Sequence, residues 1–432
     1  MKINDHKSHY LKNKRYQEFL RFNVLAFIFI AVILAILFIK YLTLSKQDTV
    51  AYLYSICVTV FVLTRITASF FYNNDKKWKN NNYEPTVSFV IPVKNEENVI
   101  ADTIAKCYDV NYPRDKIEVV VINDGSTDRT LIEIEKMKEI YPGLTVIDWK
   151  INKGKRYAMA EGFIKAKGDI LIQLDSDSYI EKDSLKILVQ PFQDANIGAV
   201  AAHTDPRNID ENFLTKMQAA YYFISFRAMK AYESMLDMVF CCSGCCSAYR
   251  KTIVLPILDI WKDETFLSRP VSFGDDRSLT NLLLKSGYKT IYLDKVQAYT
   301  IVPNNIRQFT KQQIRWKKSW IINAVKLSKF ILKKDKFVAI TYFFPLVIIS
   351  LVTPFIAFKA LILNPLIFGI IPIFYISGVI LITCLLALHY QFFRNDKNWK
   401  YIFAWTFLGV VFTSYLMFYA LLDIRNMKWG TR

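Results

Sequence analysis

The amino-acid sequence predicts an α/β domain with a mostly parallel sheet, inserted between transmembrane α-helices. Two observations predict this architecture. Apolar runs long enough to cross a bilayer lie near both ends of the 432-residue chain. Between them, from about residue 86, short buried-strand runs alternate with helical stretches, which is typical of βαβ units in a parallel sheet.

The composition fits a membrane protein with a large soluble part. Hydrophobic residues make up 53% of the chain and charged residues 22%. The formal net charge of +18 is compatible with nucleic acid, anionic lipid or an anionic substrate, and more simply with the basic cytoplasmic flanks of spans. Only four histidines occur, which argues against a histidine-rich metal site or a Ser-His-Asp hydrolase.

The N-terminal part predicts a tail followed by two spans. Residues 1–21 are basic and lack the cleavage site of a signal peptide, so we expect a cytoplasmic tail. Residues 22–72 contain two apolar segments and predict two transmembrane helices. The basic residues Lys76, Lys77 and Lys79 then mark the cytoplasmic side, so we expect the soluble domain, residues 73–305, in the cytoplasm.

Within the soluble domain, we predict strands at residues 87–93, 117–122, 144–149 and 170–174, with a further short strand at 290–293. Residues 128–140, 155–167 and 276–286 predict helices. Polar clusters follow residues 93, 122 and 174. In parallel sheets, ligands bind outside the carboxyl ends of the strands, so we expect the site at this edge.

The C-terminal part predicts an interfacial helix and further apolar helices. Residues 306–335 are amphipathic and rich in Lys, Arg and Trp, which is typical of a helix lying in the membrane interface. Residues 336–424 contain three apolar segments that we expect to be transmembrane or re-entrant. Three complete crossings from a cytoplasmic start would leave residues 425–432 outside the cell.

Three motifs at predicted strand ends carry candidate chemistry. The pair Asp175-x-Asp177 suits Mg²⁺ or Mn²⁺ holding a nucleotide diphosphate, although two Asp also occur in ordinary polar turns. Asp124 either accepts hydrogen bonds from a base or ribose or caps a helix. The run Lys153-Gly154-Lys155-Arg156, before a helix, either cradles a diphosphate or forms a solvated basic turn.

Three later motifs complete the candidate set. Residues 272–277, Ser-Phe-Gly-Asp-Asp-Arg, offer a general base with a charged neighbour, or only a turn. In Gln312-x-x-Arg315-Trp316, Arg315 could pair with a phosphate and Trp316 could stack on a sugar ring. Alternatively, both residues belong to the belt of Trp and Arg that is common at the membrane interface. The cluster Cys241-Cys242-Ser243-Gly244-Cys245-Cys246 is too compact for a usual zinc site, and we favour a small-residue loop packed beneath the site.

Taken together and in this order, these motifs resemble the processive family 2 glycosyltransferases, which include cellulose, chitin and hyaluronan synthases. Residues 152–156, residues 271–281 and the C-terminal Trp429-Gly430-Thr431-Arg432 more closely resemble streptococcal-type bacterial hyaluronan synthases. The resemblance covers nearly the whole chain from about residue 85. It implies a glycosyltransferase-A-like domain, a catalytic domain in the cytoplasm and a multi-pass protein of the cell membrane.

The resemblance also implies roles for individual residues. Asp276 would be the catalytic base, with Asp275 as its partner. The nucleotide would contact Asp124, Lys153, Lys155, Arg156, Asp175, Arg315, Trp429 and Arg432. The metal, Mg²⁺ or Mn²⁺, would bind Asp177 and Asp175. The acceptor would contact Cys242, Ser243, Gly244, Arg277, Gln312 and Trp316. Residues 425–432 would form a cytoplasmic gating segment, which requires the last apolar segment to be re-entrant or interfacial.

One departure from the family pattern concerns the product. The loop that reads Ser-Gly-Pro-Leu in hyaluronan synthases is Ser243-Gly244-Cys245-Cys246 in this chain. We expect an inverting synthase that makes hyaluronan from UDP-GlcNAc and UDP-GlcA and exports it. Alternatives are a chitin-like, poly-N-acetylglucosamine or glucose–glucuronate polymer, a transferase acting on a polyprenyl-linked lipid, or a non-enzymatic basic membrane protein.

The expected partners are UDP-sugars, the growing polysaccharide and the lipid bilayer. Carboxylates gathered at strand ends argue against a nucleic-acid partner, whose binding surface would be dominated by basic and aromatic residues. The family resemblance implies a protein that functions as a monomer, because one subunit forms its own channel.

Overall fold

A computed structural model describes residues 2–43, 49–73, 78 and 82–427 of the chain. The chain divides into two compact units. The smaller unit contains Met1–Ile66 and Ile348–Ser414, and the larger contains Thr67–Val347 and Tyr415–Arg432.

The larger unit is built on a mixed sheet. Its strand order is β3-β2-β1-β4-β7-β6-β10-β5, and β8 and β9 form a separate hairpin. Strands β1 to β4 pair in parallel, as do β6 and β10, whereas β7 and β5 run antiparallel to their neighbours. The strands are β1 (Val87–Val93), β2 (Ile117–Asp124), β3 (Thr145–Trp149), β4 (Ile170–Gln173), β5 (Tyr179–Ile180), β6 (Ile197–Pro206), β7 (Ser247–Arg250), β8 (Thr265–Phe266), β9 (Arg269–Pro270) and β10 (Lys289–Thr300).

The central strands are apolar throughout because both faces of the sheet are covered. In β1, Phe89 and Ile91 pack into one core cluster, while Val90 packs into the cluster on the opposite face. The predicted strands at 87–93, 117–122, 144–149 and 170–174 are confirmed to within two residues at either end.

The described residues of the two units also form nineteen α-helices. They are α1 (Lys2–Thr43), α2 (Thr49–Phe71), α3 (Ile100–Tyr108), α4 (Thr130–Ile140), α5 (Lys155–Lys165), α6 (Ser184–Leu188), α7 (Phe213–Phe223), α8 (Ala231–Met235), α9 (Lys251–Val254), α10 (Leu258–Lys262), α11 (Asp275–Lys285), α12 (Ile306–Ser328), α13 (Ile331–Lys334), α14 (Lys336–Val338), α15 (Phe344–Phe358), α16 (Asn364–Phe368), α17 (Ile373–Phe393), α18 (Tyr401–Leu408) and α19 (Leu416–Leu422). A π-helical segment, Ile224–Lys230, joins α7 to α8.

Within the described residues, four helices are long and apolar enough to cross a membrane: Gln17–Leu42, Thr49–Phe71, Lys336–Phe368 and Ile373–Phe393. A fifth candidate is a bent pair, Lys397–Thr413 with Leu416–Leu422. The tail expected before the first span is itself helical, since α1 begins at Lys2. In the smaller unit, α1 packs against α17 through the edge-to-face rings of Phe22 and Phe392.

The strand register brings three strand ends to one edge of the sheet. Val93 of β1 pairs with Asn123 of β2, and Val90 pairs with Gln173 of β4. The segments that begin at Lys94, Gly125 and Leu174 therefore leave the sheet at the same edge, and Asp124 is the last residue of β2. This is the edge at which the sequence predicts a ligand site.

Candidate active site

A cavity of about 640 Å³ opens at this edge of the sheet. Its volume lies within the range of small-molecule and cofactor sites in proteins. Polar side chains from six separate parts of the chain line it, including Lys94, Asp124, Lys155, Asp175, Asp177 and Arg315. Most of the strand-end residues predicted from the sequence therefore lie together.

Asp124 shapes the loop that precedes α5. Its carboxylate accepts hydrogen bonds from the backbone N–H groups of Lys153 (2.6 Å) and Gly154 (2.9 Å). Burial raises the pKa of Asp124, and these two backbone hydrogen bonds oppose the rise. Instead of capping its own helix, Asp124 holds the 153–154 turn at the cavity wall.

Lys155 and Asp175 form an ion pair inside the cavity wall. Burial alone would lower the pKa of Lys155, but Asp175, Asp275 and Asp276 together raise it above its usual value. The ammonium group therefore remains charged and available to an anion. By contrast, Lys153 does not line the cavity, and its ammonium lies over the Trp149 ring, 4.3 Å from the ring centre.

Asp177 is 5% exposed and accepts hydrogen bonds from Ser178 (3.2 Å) and Thr300 (3.3 Å) through Oδ1. In the described part of the chain, no group of three or more His, Cys, Asp or Glu side chains gathers at one point. Two carboxylates nevertheless fit Mg²⁺ or Mn²⁺, because these ions commonly take one or two carboxylates and complete their shell with water and substrate phosphates.

Arg156 lies elsewhere than the nucleotide prediction requires. Its side chain is 3% exposed, and the guanidinium group donates to Asp275 Oδ1 (2.7 Å) and to Glu264 Oε2 (2.8 Å). The carbonyl groups of Trp261 and Phe273 accept its remaining hydrogen bonds. Because these partners use its donors, Arg156 anchors the segment before α11 and does not face the cavity.

The two adjacent carboxylates of α11 have different environments. Asp275 is 4% exposed and paired with Arg156; burial raises its pKa, and Arg156 and Lys155 oppose the rise. Asp276 is only partly buried, and its carboxylate accepts a hydrogen bond from the Cys241 thiol (3.4 Å). Asp276 thus has the accessible carboxylate that a base needs, whereas the predicted catalytic role of Asp275 conflicts with its buried ion pair.

Gly274 fixes the position of this carboxylate pair against α12. Its φ of +74° is a left-handed conformation that favours glycine. A Cβ atom at this position would clash with the side chain of Ser319 on α12. The first turn of α11 and the middle of α12 therefore meet through a residue without a side chain.

The cysteine-rich loop, residues 241–246, packs between the two sets of carboxylates. A Cβ atom on Gly244 would lie 2.9 Å from Gln173 Nε2 and 3.1 Å from Asp175 Oδ1. Cys242 is fully buried in the core, so its side chain does not reach an acceptor. Burial raises the pKa of Cys241 and Cys242 to about 12, which keeps these thiols protonated and is unfavourable for zinc ligation.

Helix α12 contributes Arg315 to the cavity. Arg315 also lines a second cavity of about 270 Å³, together with Gln312 and residues 301–304. The buried Oε1 atom of Gln312 has no hydrogen-bond partner among the described residues. Trp316 packs against Tyr222, with ring centres 6.4 Å apart.

The C-terminal segment reaches the same site. Lys318 on α12 forms an ion pair with Asp423 and donates to the carbonyl group of Asn426. The carbonyl group of Met427 accepts a hydrogen bond from Ser272, a residue of the cavity wall. Trp429 and Arg432 lie outside the described residues, but the chain before them is docked at the cavity.

Some residues of the site carried no predicted role. Lys94 and Asn95 line the cavity, and Asn95 Oδ1 accepts from the Thr127 N–H (2.8 Å). The strand-end rule that selects Asp124 also selects these two residues, because they follow β1. Thr300, which holds Asp177, comes from β10 across the sheet, and no local signal marks it.

Comparison with known proteins identifies the domain. Residues 88–256 match the family described as Glycosyl transferase family 2. This segment is a family 2 glycosyltransferase domain. The protein is therefore a glycosyltransferase, and four apolar helices of spanning length indicate that it is a membrane protein.

Curated relatives extend the similarity to nearly the full length. A hyaluronan synthase of Streptococcus pyogenes serotype M6 is 29% identical over 416 residues, covering 95% of this chain and 96% of the relative. An N-acetylglucosaminyltransferase of Azorhizobium caulinodans is 29% identical over 81% of this chain and 87% of the relative. These similarities support a family 2 polysaccharide synthase.

A solved structure shows the fold. The mannosyltransferase PcManGT of Pyrobaculum calidifontis, solved with GDP-Man and Mn²⁺, matches with a TM-score of 0.56 and 20% identity, covering 87% of this chain and 99% of that one. The predicted glycosyltransferase-A-like fold with a mostly parallel sheet is confirmed.

Proposed function

We propose that the protein is a membrane-embedded, processive, inverting β-glycosyltransferase that polymerises UDP-GlcNAc and UDP-GlcA into hyaluronan. The observation that carries this proposal is the arrangement of one cavity. It places Lys155, Arg315 and the Asp175–Asp177 pair around a space suited to a nucleotide diphosphate. The full-length similarity to a hyaluronan synthase supports the choice of polymer.

In this proposal, the cations bind the donor. Lys155 and Arg315 hold the diphosphate and stabilise the negative charge that develops on it as the glycosidic bond breaks. Asp124 keeps the 153–154 turn in place, and this turn leads directly into Lys155 at the start of α5. When bound, Mg²⁺ or Mn²⁺ would be held by Asp177 and Asp175 and would supply Lewis-acid neutralisation of the diphosphate.

Asp276 performs the proton transfer. Its carboxylate accepts the proton of the acceptor hydroxyl as the oxygen attacks the anomeric carbon from the face opposite the leaving diphosphate. Asp275 and Arg156 position this residue by fixing the first turn of α11. Trp316, packed on Tyr222, offers an aromatic face for the acceptor sugar.

The proposal assigns the path of the product to the apolar helices. We propose that residues 22–72 and 336–424 form the transmembrane and re-entrant part, that residues 73–305 face the cytoplasm, and that 306–335 lie at the interface. The polymer would then leave through the same subunit, without a partner chain. The docking of residues 423–427 at the cavity supports a C-terminal gating segment at 425–432.

A second candidate function follows from the similarity to an N-acetylglucosaminyltransferase. In that case, the protein would transfer GlcNAc alone and make a poly-N-acetylglucosamine or chitin-like chain. A glucose–glucuronate polymer is the third product class compatible with the site.

The test uses purified full-length protein in detergent, with radiolabelled UDP-GlcNAc, UDP-GlcA and UDP-glucose supplied singly and in pairs. We expect polymer only when UDP-GlcNAc and UDP-GlcA are both present, with release of UDP. Polymer from UDP-GlcNAc alone would support the second candidate. Absence of UDP release from every sugar nucleotide would refute the glycosyltransferase proposal.

A further inference from the structure

A network of ion pairs with alternating charge joins three helices of the larger unit. Its members are Lys326 on α12, Glu264 before β8, Arg156 on α5 and Asp275 on α11. Arg156 pairs with both carboxylates, at 2.8 Å from Glu264 and 2.7 Å from Asp275. Glu264 has no role in the mechanism above, although it contacts a cation on each of two helices.

Glu264 uses its two carboxylate oxygens for different helices. Oε2 accepts a hydrogen bond from Arg156 on α5, and Oε1 pairs with the ammonium group of Lys326 on α12. The side chain of Glu264 is 11% exposed, whereas those of Arg156 and Lys326 are 3% and 24% exposed. Because solvent and salt screen shielded charges less than surface charges, these contacts hold the two helices more strongly than a surface ion pair would.

The backbone around Glu264 is held by contacts of its own. The carbonyl group of Glu264 accepts a hydrogen bond from the Val271 N–H (2.9 Å) at the open end of the β8–β9 hairpin. Three residues earlier, the buried indole N–H of Trp261 donates to the carbonyl group of Asp275 (3.0 Å). Since these contacts do not involve the Glu264 carboxylate, we expect the segment to stay folded when that charge is removed.

Each of the three joined helices carries one group of the proposed reaction. On α5 and α11, the diphosphate cation Lys155 and the base Asp276 are each adjacent to a member of the network. On α12, Arg315 lies about three turns before Lys326 and therefore on the same face of the helix. By joining the helices, the network fixes the distances between the diphosphate cations and the base.

We propose that Glu264 is a positioning residue for glycosyl transfer, which aligns the base with the bound donor. The inference rests on the proposed function and adds a residue to it. Glu264 lines neither of the two cavities described above, so it acts through Arg156 and Lys326 and not by contact with a substrate. A misplacement of reacting groups by about 1 Å can lower a rate by about 100-fold, so a small shift of these helices is measurable.

A purely structural role for Glu264 predicts a different outcome. If its charge only stabilised the fold, its loss would reduce the fraction of active protein and leave each active molecule unchanged. A positioning role predicts that transfer to a sugar slows more than hydrolysis of the donor, because water is small and needs no aligned acceptor chain. The ratio of UDP released to sugar incorporated separates the two roles, since this ratio is independent of the folded fraction.

The experiment uses full-length protein in nanodiscs with radiolabelled UDP-GlcNAc and UDP-GlcA. UDP release and sugar incorporation are measured in the same samples, and UDP affinity is measured by calorimetry. Glu264→Gln removes the charge at nearly constant size, Glu264→Asp keeps the charge on a shorter side chain, and Lys326→Met removes the contact with α12. The matched control is Glu161→Gln on α5, where the carboxylate is 34% exposed and lies 4.0 Å from the Lys165 ammonium.

The wild-type protein should release little more UDP than the sugar it incorporates. Glu264→Gln should lower kcat for transfer by about 10-fold and raise the ratio of UDP to incorporated sugar, because the base and the donor lose their alignment. UDP affinity should stay within about twofold, as expected for a change that affects the transition state and not the bound donor. Glu161→Gln should match the wild type.

The other variants separate the two contacts of Glu264. Glu264→Asp is one methylene shorter and does not span both cations, so its ratio should lie between those of the wild type and Glu264→Gln. Lys326→Met should change the ratio in the same direction but less. Added to Glu264→Gln, it should have little further effect, because both substitutions remove the same contact.

An unchanged ratio in Glu264→Gln, whatever the loss of total activity, would overturn the inference in favour of a structural role. Lower UDP affinity with unchanged kcat would also overturn it, because Glu264 would then serve donor binding. Failure of the proposed function would appear differently, as absent UDP release in the wild type. In that case, hydrogen exchange at the first turn of α11 still tests the link: exchange should be faster in Glu264→Gln than in Glu161→Gln, and equal exchange would contradict it.

Discussion

The donor side and the acceptor side of the proposed site differ in how their carboxylates are held. On the donor side, each carboxylate has partners: Asp124 holds two backbone N–H groups, Asp175 pairs with Lys155, and Asp177 is held by two hydroxyl groups. On the proposed acceptor side, the carboxylate of Asp276 is only partly buried and accepts a hydrogen bond from the Cys241 thiol (3.4 Å). We propose that the donor side is preformed, whereas the acceptor-side carboxylate is left accessible to a substrate hydroxyl.

The largest effect is expected at Asp276. Asp276→Asn should lower sugar transfer by about 10²- to 10⁴-fold, the range that general-base catalysis contributes, because an amide does not accept the hydroxyl proton. UDP affinity, measured by calorimetry, should stay within about twofold, a change of under 1 kcal/mol. A large loss of UDP affinity in this variant would place Asp276 on the donor side and contradict the separation of donor and acceptor residues.

Replacing the neighbouring carboxylate, Asp275, should lower the stability of the fold. Asp275→Asn breaks a buried ion pair whose side chains are 4% and 3% exposed. Removing one partner of such a pair typically costs about 3–5 kcal/mol, so the free energy of unfolding of the larger unit should fall by about that amount. Asp276→Asn is the matched control and should unfold like the wild type in the same denaturant titration. The roles of the two residues would be reversed if Asp276→Asn were the less stable of the two.

The donor-side carboxylates should control metal dependence. Treatment with a chelator should abolish transfer, and Mg²⁺ or Mn²⁺ should restore it. Asp177→Asn should raise the half-saturating metal concentration by at least about 10-fold, since even residues that only orient metal ligands contribute about 10- to 100-fold. Thr300→Val, which removes a hydrogen bond to Asp177, should cause a smaller shift. An unchanged metal titration in Asp177→Asn would contradict this assignment.

The smallest effect is expected where the C-terminal segment docks. Lys318→Met removes the ion pair to Asp423, in which Lys318 is 6% exposed and Asp423 is 29% exposed. Since partly exposed ion pairs contribute about 1 kcal/mol or less, KM for the sugar nucleotide should rise by up to about fivefold with kcat nearly unchanged. Lys329→Met, at the exposed end of the same helix, should behave as the wild type. An equal change in both variants would exclude a specific role for docking.

The donor side could be predicted from the sequence because it depends on local order. Most of the donor residues lie at or just after the end of a strand whose apolar run is visible in the sequence, and parallel strands end at one edge. Arg315, on α12, is the exception among the residues proposed to bind the donor. Strand β6, Ile197–Pro206, has no clear sequence signal. Nine of its ten residues are buried and many are small, so its sequence shows neither an alternation of apolar and polar residues nor a run of bulky apolar residues. Without β6 and β7, the sheet order across the middle of the domain does not follow from the sequence.

The acceptor side depends on contacts between distant residues. The pairing of Arg156 with Asp275 joins positions 119 residues apart, and the contact between Lys230 and Ser243 depends on a π-helical segment. In the sequence, Arg156 belongs to a basic run that resembles a phosphate cradle, and only the fold shows that its guanidinium group points away from the cavity. Cys242 likewise lies within a motif but is buried in the core.

The most direct test of the whole account is polymer synthesis in sealed vesicles containing only this protein. Vesicles are supplied externally with labelled UDP-GlcNAc and UDP-GlcA, and the product is then treated with a membrane-impermeant hyaluronan-degrading enzyme. The account predicts long polymer that resists the enzyme until detergent is added, and no polymer when either nucleotide or the Asp276 carboxylate is missing. Absence of polymer with both nucleotides, or polymer that the enzyme degrades fully in intact vesicles, would contradict it.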